Sequence, residues 1–340
     1  MHEVTPHSAA TPQRPAISVV VPVYCSEQTL PQLMSRLRDM LAGAGGDWEI
    51  VLVDDGSRDA SWAVIRSLRV EYGPRLVAVR LMRNFGQHNA LMCGLRQARG
   101  EIIVTLDDDL QHPPEEVPKL IDALQSQQLD LVYGTADSKS HGAWRNAGSA
   151  LANLFYRMIF RIPVTVTPFR AMRRQVVESI LSYNLNFTYI DGLLAWNTTR
   201  IGHAVVRHQS RAVGRSGYSL AKLFTLALNL FTNFSLLPLQ VMSTVGVVTA
   251  FCGLLAAAYY LMQYFLGGIG VSGYASSIIA ILVLGGLQLL ATGIIGEYIG
   301  RVHLNINRKP QYTVREVLVE ATPPSDSNDS VAHSRSARDE

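Results

Sequence analysis

Three consecutive carboxylates, Asp107, Asp108 and Asp109, follow an apolar run from Ile102 to Leu106 that is typical of a short buried strand. Three adjacent acids repel one another unless a cation lies among them. Because alternate residues of an extended segment point the same way, Asp107 and Asp109 can converge on one hard divalent ion, with Asp108 pointing away. Such an ion keeps waters and binds substrate phosphates. The alternative interpretation is a solvated acidic loop ahead of a helix that begins at Pro113.

Two other predicted strands end in residues of similar character. The strand from Ile17 to Val23 leads into the segment from Pro22 to Glu27, and the strand from Trp48 to Val53 leads into the segment from Asp54 to Ser57. Ligands of open α/β sheets bind at the carboxyl ends of strands, so these ends and the acidic run together describe a nucleotide-diphosphate site. Each motif also has a structural explanation, because Asp-Gly is a turn signal and Glu27 could occupy the first turn of a helix.

The elements that position these residues alternate between strand and helix. Further strands are predicted at Leu76 to Leu81 and Leu129 to Tyr133, with helical patterns between the strands. This alternation predicts an α/β, Rossmann-like domain with a mostly parallel sheet. No GxGxxG follows the first strand, which counts against a dinucleotide-dependent dehydrogenase.

One local feature of composition predicts a membrane protein. From Leu223 to Gly296 the sequence has no Asp, Glu, Lys, Arg or His. Residues 239–266 and 275–297 are each about long enough to cross a hydrocarbon core of about 30 Å, and residues 267–273 form the turn of a hairpin. Two buried helices of a soluble protein, the alternative, would show a polar face.

The residues around the hairpin predict its orientation. Residues 219–235 are amphipathic and predict a helix in the plane of the membrane interface, although packing on the sheet is an alternative. Basic residues flank both outer ends of the hydrophobic region and are missing from its turn, so the positive-inside rule predicts a cytoplasmic catalytic domain and cytoplasmic termini. The predicted divisions are a disordered tail (1–15), a catalytic domain (16–218), the interfacial helix (219–235), two transmembrane helices (236–300), a juxtamembrane segment (301–320) and a second disordered tail (321–340).

Composition counts against two classes of protein. A net charge of only +3 gives no reason to expect a nucleic acid partner. Cys25, Cys93 and Cys252 are far apart and form no CxxC pattern, which argues against a disulfide framework or a zinc site.

Short motifs along the chain carry a resemblance to a known family. In this order they resemble the inverting GT-A glycosyltransferases of family 2. More narrowly they resemble the polyprenyl-phosphate glycosyltransferases, a group with dolichyl-phosphate mannose synthases and bacterial undecaprenyl-phosphate formamidoarabinose transferases. The resemblance covers roughly residues 16–315. It is carried by the segments VVVPVY, VDDGS, RNFGQHNA, LDDDLQHPPEE, PFRAMRR, RAVGRSGY, NFSLLPL and GEYIGR.

The resemblance implies roles for individual residues. It implies that Asp107 and Asp109 form a DxD motif that holds Mg²⁺ or Mn²⁺ on the diphosphate of a nucleotide sugar, with UDP the expected carrier, and that Asp54 contacts the base. The implied contacts of the nucleotide sugar are Pro22, Tyr24, Glu27, Asp54, Gln87, Asp107 and Asp108. The implied contacts of the acceptor phosphate are Arg170 of the Phe-Arg pair and Arg211, Arg215 and Ser216 of the RxxGxS loop.

The sequence also bears on the acceptor. Many relatives carry an acid just before the Phe-Arg pair, where this chain has Val164 to Pro168, and a lysine where it has Gly217. A phosphomonoester has a second pKa near ~6, so at neutral pH it is largely a dianion that needs positioning and charge screening more than a base. A sugar hydroxyl would need a carboxylate. The missing acid therefore favours a lipid phosphate, and Asp191 is the fallback base.

We therefore expect inverting, metal-dependent transfer of a sugar from a nucleotide diphosphate to undecaprenyl phosphate at the cytoplasmic face of a bacterial inner membrane. Its expected purpose is modification of cell-envelope glycan or lipid. A membrane-anchored transferase with a sugar-hydroxyl acceptor is an alternative. A processive polysaccharide synthase would require a QxxRW motif and more spans than this sequence shows. A non-catalytic scaffold that binds sugar nucleotides, and assembly into a homo-oligomer, also stay open.

Overall fold

A computed structural model describes residues 14–136, 165–185, 188–209, 237–266, 273–307 and 310–318. Its strands are β1 (Ile17–Val23), β2 (Trp48–Asp54), β3 (Leu76–Leu81), β4 (Ile102–Thr105), β5 (Leu131–Ala136), β6 (Arg170–Arg173), β7 (Ile201–Val206) and β8 (Val314–Leu318). Its α-helices are α1 (Leu30–Ala44), α2 (Ser61–Tyr72), α3 (Gln87–Gln97), α4 (Val117–Ser126), α5 (Arg174–Leu181), α6 (Ile190–Asn197), α7 (Leu237–Phe265) and α8 (Tyr274–Ile306). Two 3₁₀ turns occupy Gly73–Arg75 and Pro114–Glu116.

The strands form one eight-stranded sheet in the order β7-β5-β6-β4-β1-β2-β3-β8. The centre of the sheet, β4-β1-β2-β3, is parallel, as the alternation of strands and helices predicts. β6 and β8 run antiparallel to their neighbours, and β5 and β7 pair in parallel. The predicted α/β fold with a mostly parallel sheet is therefore confirmed. The predicted strand ends at Leu106 and Tyr133 are shifted, since β4 ends at Thr105 and β5 at Ala136.

Two hydrophobic clusters cover the two faces of the sheet. One contains buried residues of α1, α2 and α4, such as Leu37, Ile65 and Leu120. The other contains buried residues of α3, α5 and α6, such as Leu91 and Val177. Because the central strands are buried on both faces, they are continuous apolar runs, and this explains why the sequence predicts them well.

The two long helices α7 and α8 correspond to the predicted membrane hairpin. Both are long and apolar enough to cross a membrane, over the windows Leu239–Ala256 and Val283–Ile306. Large apolar side chains along both helices, such as Phe251 and Leu289, are exposed in the protein. With 29 and 33 residues, both helices are longer than the hydrocarbon core of a bilayer, which is about 30 Å thick. α8 continues past the predicted end at residue 297 to Ile306.

The chain after α8 returns to the catalytic sheet. β8 pairs antiparallel with β3, and the backbone N–H of Met82 donates to the carbonyl of Thr313 over 2.9 Å. Residues 301–320, predicted as a juxtamembrane segment, therefore contain an edge strand of the catalytic domain. Because β1 to β7 precede α7 and β8 follows α8, both ends of the hairpin belong to one folded unit.

Several predicted elements lie outside the described residues. These are most of the N-terminal tail, the amphipathic segment 219–235, the hairpin turn apart from Gly273, and the C-terminal tail at 321–340.

Candidate active site

A cavity of about 290 Å³ opens at the carboxyl ends of the parallel strands, beside the start of α3. It brings together the three strand ends that the sequence predicts to converge. The described residues that line it are Pro22, Val23, Tyr24, Asp55, Asn84, Gly86, Gln87, Asp107, Asp108 and Asp109. Hereafter this cavity is called the cleft.

The acidic run is fixed by a different contact at each residue. Gln87 Nε2 donates to Asp107 Oδ1 over 2.5 Å, and the N–H of Gln111 donates to Asp109 Oδ1 over 3.1 Å. Asp108 Oδ2 accepts from the N–H of Tyr24 at 3.0 Å and from the hydroxyl of Ser26. Burial raises the pKa of Asp108, and these two hydrogen bonds partly offset the rise.

The alternation argument for Asp108 is wrong in its premise. β4 ends at Thr105, and Asp108 and Asp109 lie in a turn, so a two-residue period does not extend through the acidic run. All three carboxylates border the cleft. Asp108 also ties this turn to the segment after β1, through the contacts with Tyr24 and Ser26.

At the end of β2 the structure places Asp55, and not Asp54, at the cleft. Asp54, expected to contact the base, is fully buried away from the cleft, where it accepts from the N–H of Ser57 at 3.0 Å and pairs with Arg80 at 3.2 Å. Asp55 lines the cleft and accepts from the N–H groups of Phe85 and Gly86 at 2.7 and 2.9 Å. Burial raises the pKa of Asp55 to about 6.

Gly56 lets the loop after β3 approach Asp55. Its φ of +69° is in the left-handed region, and a Cβ there would lie 2.5 Å from the carbonyl carbon of Arg83 and 2.8 Å from the nitrogen of Asn84. The same loop continues to Gly86 and Gln87, which border the cleft. The glycine of the Asp-Asp-Gly-Ser motif thus allows a close backbone approach that shapes the site.

Asp55 should lower the stability of the protein as the pH rises from about 4 to about 6. Folding raises its pKa from 3.8 to about 6, so in this interval the folded state holds a proton that the unfolded state has lost. The protonated form contributes its full stabilisation below a pH of about 4, and this contribution is lost as the pH rises through about 6. The melting temperature of Asp55→Asn minus that of the unsubstituted protein should therefore rise over this pH interval and stay level above it. A difference independent of pH would contradict this assignment.

Glu27 lies outside the lining of the cleft. Its Oε2 accepts from the N–H of Ala60 at 2.8 Å, just before α2, so it acts on the beginning of that helix. The segment before it is held in the same way, since the N–H groups of Cys25 and Ser26 donate to the hydroxyls of Ser57 and Ser61. Pro22, Tyr24 and Gln87, the other expected contacts of the nucleotide sugar, do line the cleft.

Arg170 and Asp191 form a buried ion pair behind the acidic run. Their exposed fractions are 1% and 5%, and Arg170 Nη1 donates to Asp191 Oδ1. The hydroxyl of Tyr133 donates a hydrogen bond to Asp191 Oδ1 at 3.0 Å, and Arg170 Nε donates to the hydroxyl of Thr105 at 2.9 Å. Burial alone would lower the pKa of Arg170, but Asp191, Tyr133 and Asp107 raise it overall.

This pairing changes the roles expected of both residues. A base or a phosphate ligand must reach the substrate, whereas neither Arg170 nor Asp191 lines the cleft. An arginine with almost no access to water requires a counter-ion, and Asp191 supplies it. The pair is linked to the acidic run through Thr105, which precedes Asp107 by two residues.

The segment after β7 docks on the acidic motif. Arg207 Nε pairs with Glu116 at 2.7 Å, the rings of His208 and His112 contact each other at 5.1 Å, and the N–H of Gln209 donates to the carbonyl of Gln111 at 2.9 Å. Burial and the neighbouring His208 lower the pKa of His112 to about 4, so this imidazole is neutral at physiological pH. The expected acceptor contacts Arg211, Arg215 and Ser216 follow this segment and lie outside the described residues.

Sequence reasoning missed Asp55, Ser26 and Asn84 at the site. The signal for Asp55 was available, because Val51 and Val53 belong to the α3 side of the sheet and Asp55 continues their alternation. Ser26 and Asn84 act through contacts between loops, which leave no periodic pattern in the sequence.

The composition of the cleft suits a hard cation bound together with a phosphate. Four of the described lining residues are carboxylates and none is basic. Within the described ranges, no group of three or more His, Cys, Asp or Glu side chains is arranged to hold a metal by itself. Mg²⁺ is commonly held by one or two carboxylates, with phosphates and waters completing its shell, so Asp107 and Asp109 fit such an ion.

Comparison with known proteins places this fold and site in a family. Residues 18–181 match the sequence model of Glycosyl transferase family 2. The undecaprenyl-phosphate 4-deoxy-4-formamido-L-arabinose transferase of Pseudomonas paraeruginosa is 36% identical over 306 residues, which cover 89% of this chain and 90% of that protein. The enzyme of the same description from Aeromonas hydrophila is 36% identical over 314 residues, covering 91% and 96%.

Among solved structures, glucosyl-3-phosphoglycerate synthase from Mycobacterium tuberculosis, in complex with Mn²⁺, UDP and phosphoglyceric acid, is similar with a TM-score of 0.48. Its identity is 18%, over 64% of this chain and 76% of that one. The two bacterial transferases match nearly the whole chain, from the sheet through the hydrophobic helices. The chain is a glycosyltransferase of the GT-A fold and belongs to glycosyltransferase family 2, among the relatives of the undecaprenyl-phosphate formamidoarabinose transferases.

Proposed function

We propose that the protein transfers a sugar, with inversion, from a nucleotide diphosphate to undecaprenyl phosphate at the cytoplasmic face of the bacterial inner membrane. The single observation that carries the donor half is the cleft itself, where four carboxylates meet at the strand ends beside Tyr24 and Gln87. The acceptor half is supported by two membrane-length helices and by relatives named for undecaprenyl phosphate.

A diphosphate needs a cation to enter this cleft. Its negative oxygens would otherwise face Asp55 and the acidic run at short range, which is repulsive in a partly dehydrated site. We assign Asp107 and Asp109 as ligands of Mg²⁺ or Mn²⁺, which would neutralise the charge that develops on the leaving diphosphate. Gln87, by donating to Asp107, holds one of these carboxylates in place.

In the proposed reaction, an oxygen of the acceptor phosphate attacks the anomeric carbon from the face opposite the leaving group. The new C–O bond forms as the bond between the anomeric carbon and the diphosphate breaks, and the electron pair leaves with the nucleoside diphosphate. A phosphate dianion has no proton to lose in this step. Asp191, the fallback base, is not among the described residues that line the cleft, and it is paired with Arg170 instead.

Arg211 is proposed to bind the acceptor phosphate, because the described chain that leads to it is fastened beside the acidic motif at Gln209. Loss of a charge-assisted hydrogen bond costs about 1.5–3 kcal/mol, so Arg211→Ala should raise the KM for undecaprenyl phosphate roughly ten- to a hundredfold. The KM for the nucleotide sugar should change little. Arg66→Ala, on the exposed side of α2, is the matched control. Equal effects of Arg211→Ala on both substrates would contradict the assignment.

The return of β8 to the sheet supports the proposed membrane topology. A chain that leaves the catalytic domain and rejoins it after α7 and α8 has its two ends on one side of any membrane that both helices cross. Because basic residues flank these ends, we propose that this side is cytoplasmic. A topology reporter fused after Ser336 should give a cytoplasmic signal. A periplasmic signal from that fusion would reject the orientation.

A transfer assay with the full chain tests the function directly. Radiolabelled undecaprenyl phosphate should become a sugar-bearing lipid in the presence of Mg²⁺ and one of a panel of nucleotide sugars. A nucleotide-activated 4-deoxy-4-formamido-L-arabinose is the first donor to test, since relatives at 36% identity carry that name. Transfer to a sugar hydroxyl instead would indicate the alternative acceptor, and neither transfer nor hydrolysis of any donor would indicate a scaffold.

A further inference from the structure

A second cavity, of about 630 Å³, lies between the catalytic domain and the end of α8. It is formed by the end of α3, the chain after α5, the last turn of α8 and the segment that leads into β8. Its lining residues are Arg96, Asn184, Leu185, Asn305, Pro310, Gln311 and Tyr312. Gln87 at the other end of α3 borders the cleft, and Arg96 is nine positions further along the helix, roughly 13 Å away. The cavity is therefore separate from the active site.

The position of Asn305 places this cavity where the chain leaves the membrane. The apolar window of α8 runs from Val283 to Ile306, so its last turn reaches the level of the lipid headgroups if α8 crosses the bilayer. Leu185 is 41% exposed and, with Pro310, adds an apolar part to the lining. Amides, phenols and arginine beside apolar surface are typical of the membrane interface.

The charge of this cavity is opposite to that of the cleft. Its described lining has one guanidinium and no carboxylate, whereas the cleft has four carboxylates and no basic group. Arg96 is held in place by protein acceptors. Nη1 donates to the hydroxyl of Tyr312 at 2.8 Å, and Nη2 donates to Asn184 Oδ1 at 3.0 Å, to Gln311 Oε1 at 3.4 Å and to the carbonyls of Leu181 and Tyr183 at 3.4 and 3.5 Å. The positive charge of Arg96 is therefore fixed in the lining before any ligand arrives, which favours an anion such as a phosphate.

We propose that this cavity binds the phosphate headgroup of an anionic membrane phospholipid. Its volume is in the range of small-molecule sites, and the fixed positive charge of Arg96, with no carboxylate in the described lining, suits a phosphate. The membrane is the expected source because the lining includes the end of an apolar helix, where the local concentration of such headgroups is high. Bound there, the lipid would join α3 and α5 of the catalytic domain to α8.

The experiment uses the full chain purified in an uncharged detergent. Phosphatidylglycerol, phosphatidylcholine with the same acyl chains, and inorganic phosphate are titrated separately, and the melting temperature is followed. Phosphatidylglycerol should raise it with a saturable midpoint, whereas phosphatidylcholine should not. Asn305→Asp places a negative charge in the lining and should shift the midpoint for phosphatidylglycerol to about tenfold higher concentration. Gln127→Glu, the same change of charge at an exposed position after α4 on the other face of the sheet, should leave the midpoint unchanged.

Each outcome decides the proposal. Arg96→Gln should abolish the saturable rise, but it also removes contacts with Tyr312, so Asn305→Asp is the deciding variant. An equal effect of phosphatidylcholine, or a midpoint unchanged by Asn305→Asp, would overturn the site. Saturation by inorganic phosphate with an equal rise would show a small-anion site and reject the lipid as occupant. Because none of these readouts involves transfer, the result is independent of the proposed reaction.

Discussion

Asp107→Asn is expected to reduce kcat/KM for transfer by about a thousandfold. The amide has the shape of the carboxylate but carries no charge, so it is a poor ligand for a divalent ion and leaves the developing charge on the diphosphate unscreened. Losing one preorganised stabiliser of such charge commonly costs 10²–10³ in rate, and a weakened metal site adds to that loss. The measurement is transfer from a nucleotide sugar at saturating Mg²⁺, with a parallel titration of Mn²⁺.

Controls separate the loss of a ligand from general damage. Asp122→Asn changes an exposed acid of α4 and should leave transfer unaffected. Asp109→Asn should match Asp107→Asn, and EDTA should stop transfer by the unsubstituted protein. Asp108→Asn should be intermediate and should weaken donor binding, because the segment at Tyr24 and Ser26 loses its acceptor. Full transfer in EDTA would rule out the metal assignment.

Asp191→Asn is expected to destabilise the protein by about 3–5 kcal/mol, because it leaves the buried charge of Arg170 without its counter-ion. For a domain of this size the melting temperature should fall by roughly 10 °C. Arg170→Gln combined with Asp191→Asn replaces the ion pair by two amides and should recover most of that loss. Thermal unfolding monitored by tryptophan fluorescence is a suitable measurement.

The same variants distinguish a counter-ion from a general base. A base would lose its rate in Asp191→Asn with little change in stability, and Arg170→Gln would not restore it. Glu71→Gln is the control, because its partner Arg38 and Glu71 itself are both about half exposed and such surface pairs contribute little to stability. An unchanged melting temperature with a large fall in kcat would return Asp191 to the role of base.

The parts of the fold that the sequence predicts well are those governed by local burial. β1 to β4 are mostly apolar runs, and such runs are recognisable without knowledge of their neighbours. β6 has four residues with arginine at both ends, and β8 alternates exposed and partly buried residues at the edge of the sheet. Both strands exist because a distant strand offers hydrogen bonds to them, and this information is not local.

The same distinction applies within the site. The clustering of Asp107, Asp109, Tyr24 and Gln87 follows from strand ends that share one edge of a sheet, so the sequence could predict it. The burial of Arg170 could not be predicted, because it depends on Asp191, which is 21 residues further along the chain and on another element. A basic residue in a motif is a candidate phosphate ligand in either case, and only the packing around it identifies its partner.

The late position of β8 affects how the enzyme is made. Met82, at the end of β3, and Arg315 of β8 contact each other across 233 residues of sequence. At about 5–20 residues per second, a ribosome needs on the order of 10 to 50 seconds to cover that distance. Throughout that time β3 presents an unpaired edge, the kind of surface that recruits other chains and aggregates. The strand that closes this edge emerges only after both hydrophobic helices have been synthesised, so completion of the catalytic sheet waits for the membrane anchor. A catalytic domain produced without its C-terminal third would keep this edge open permanently.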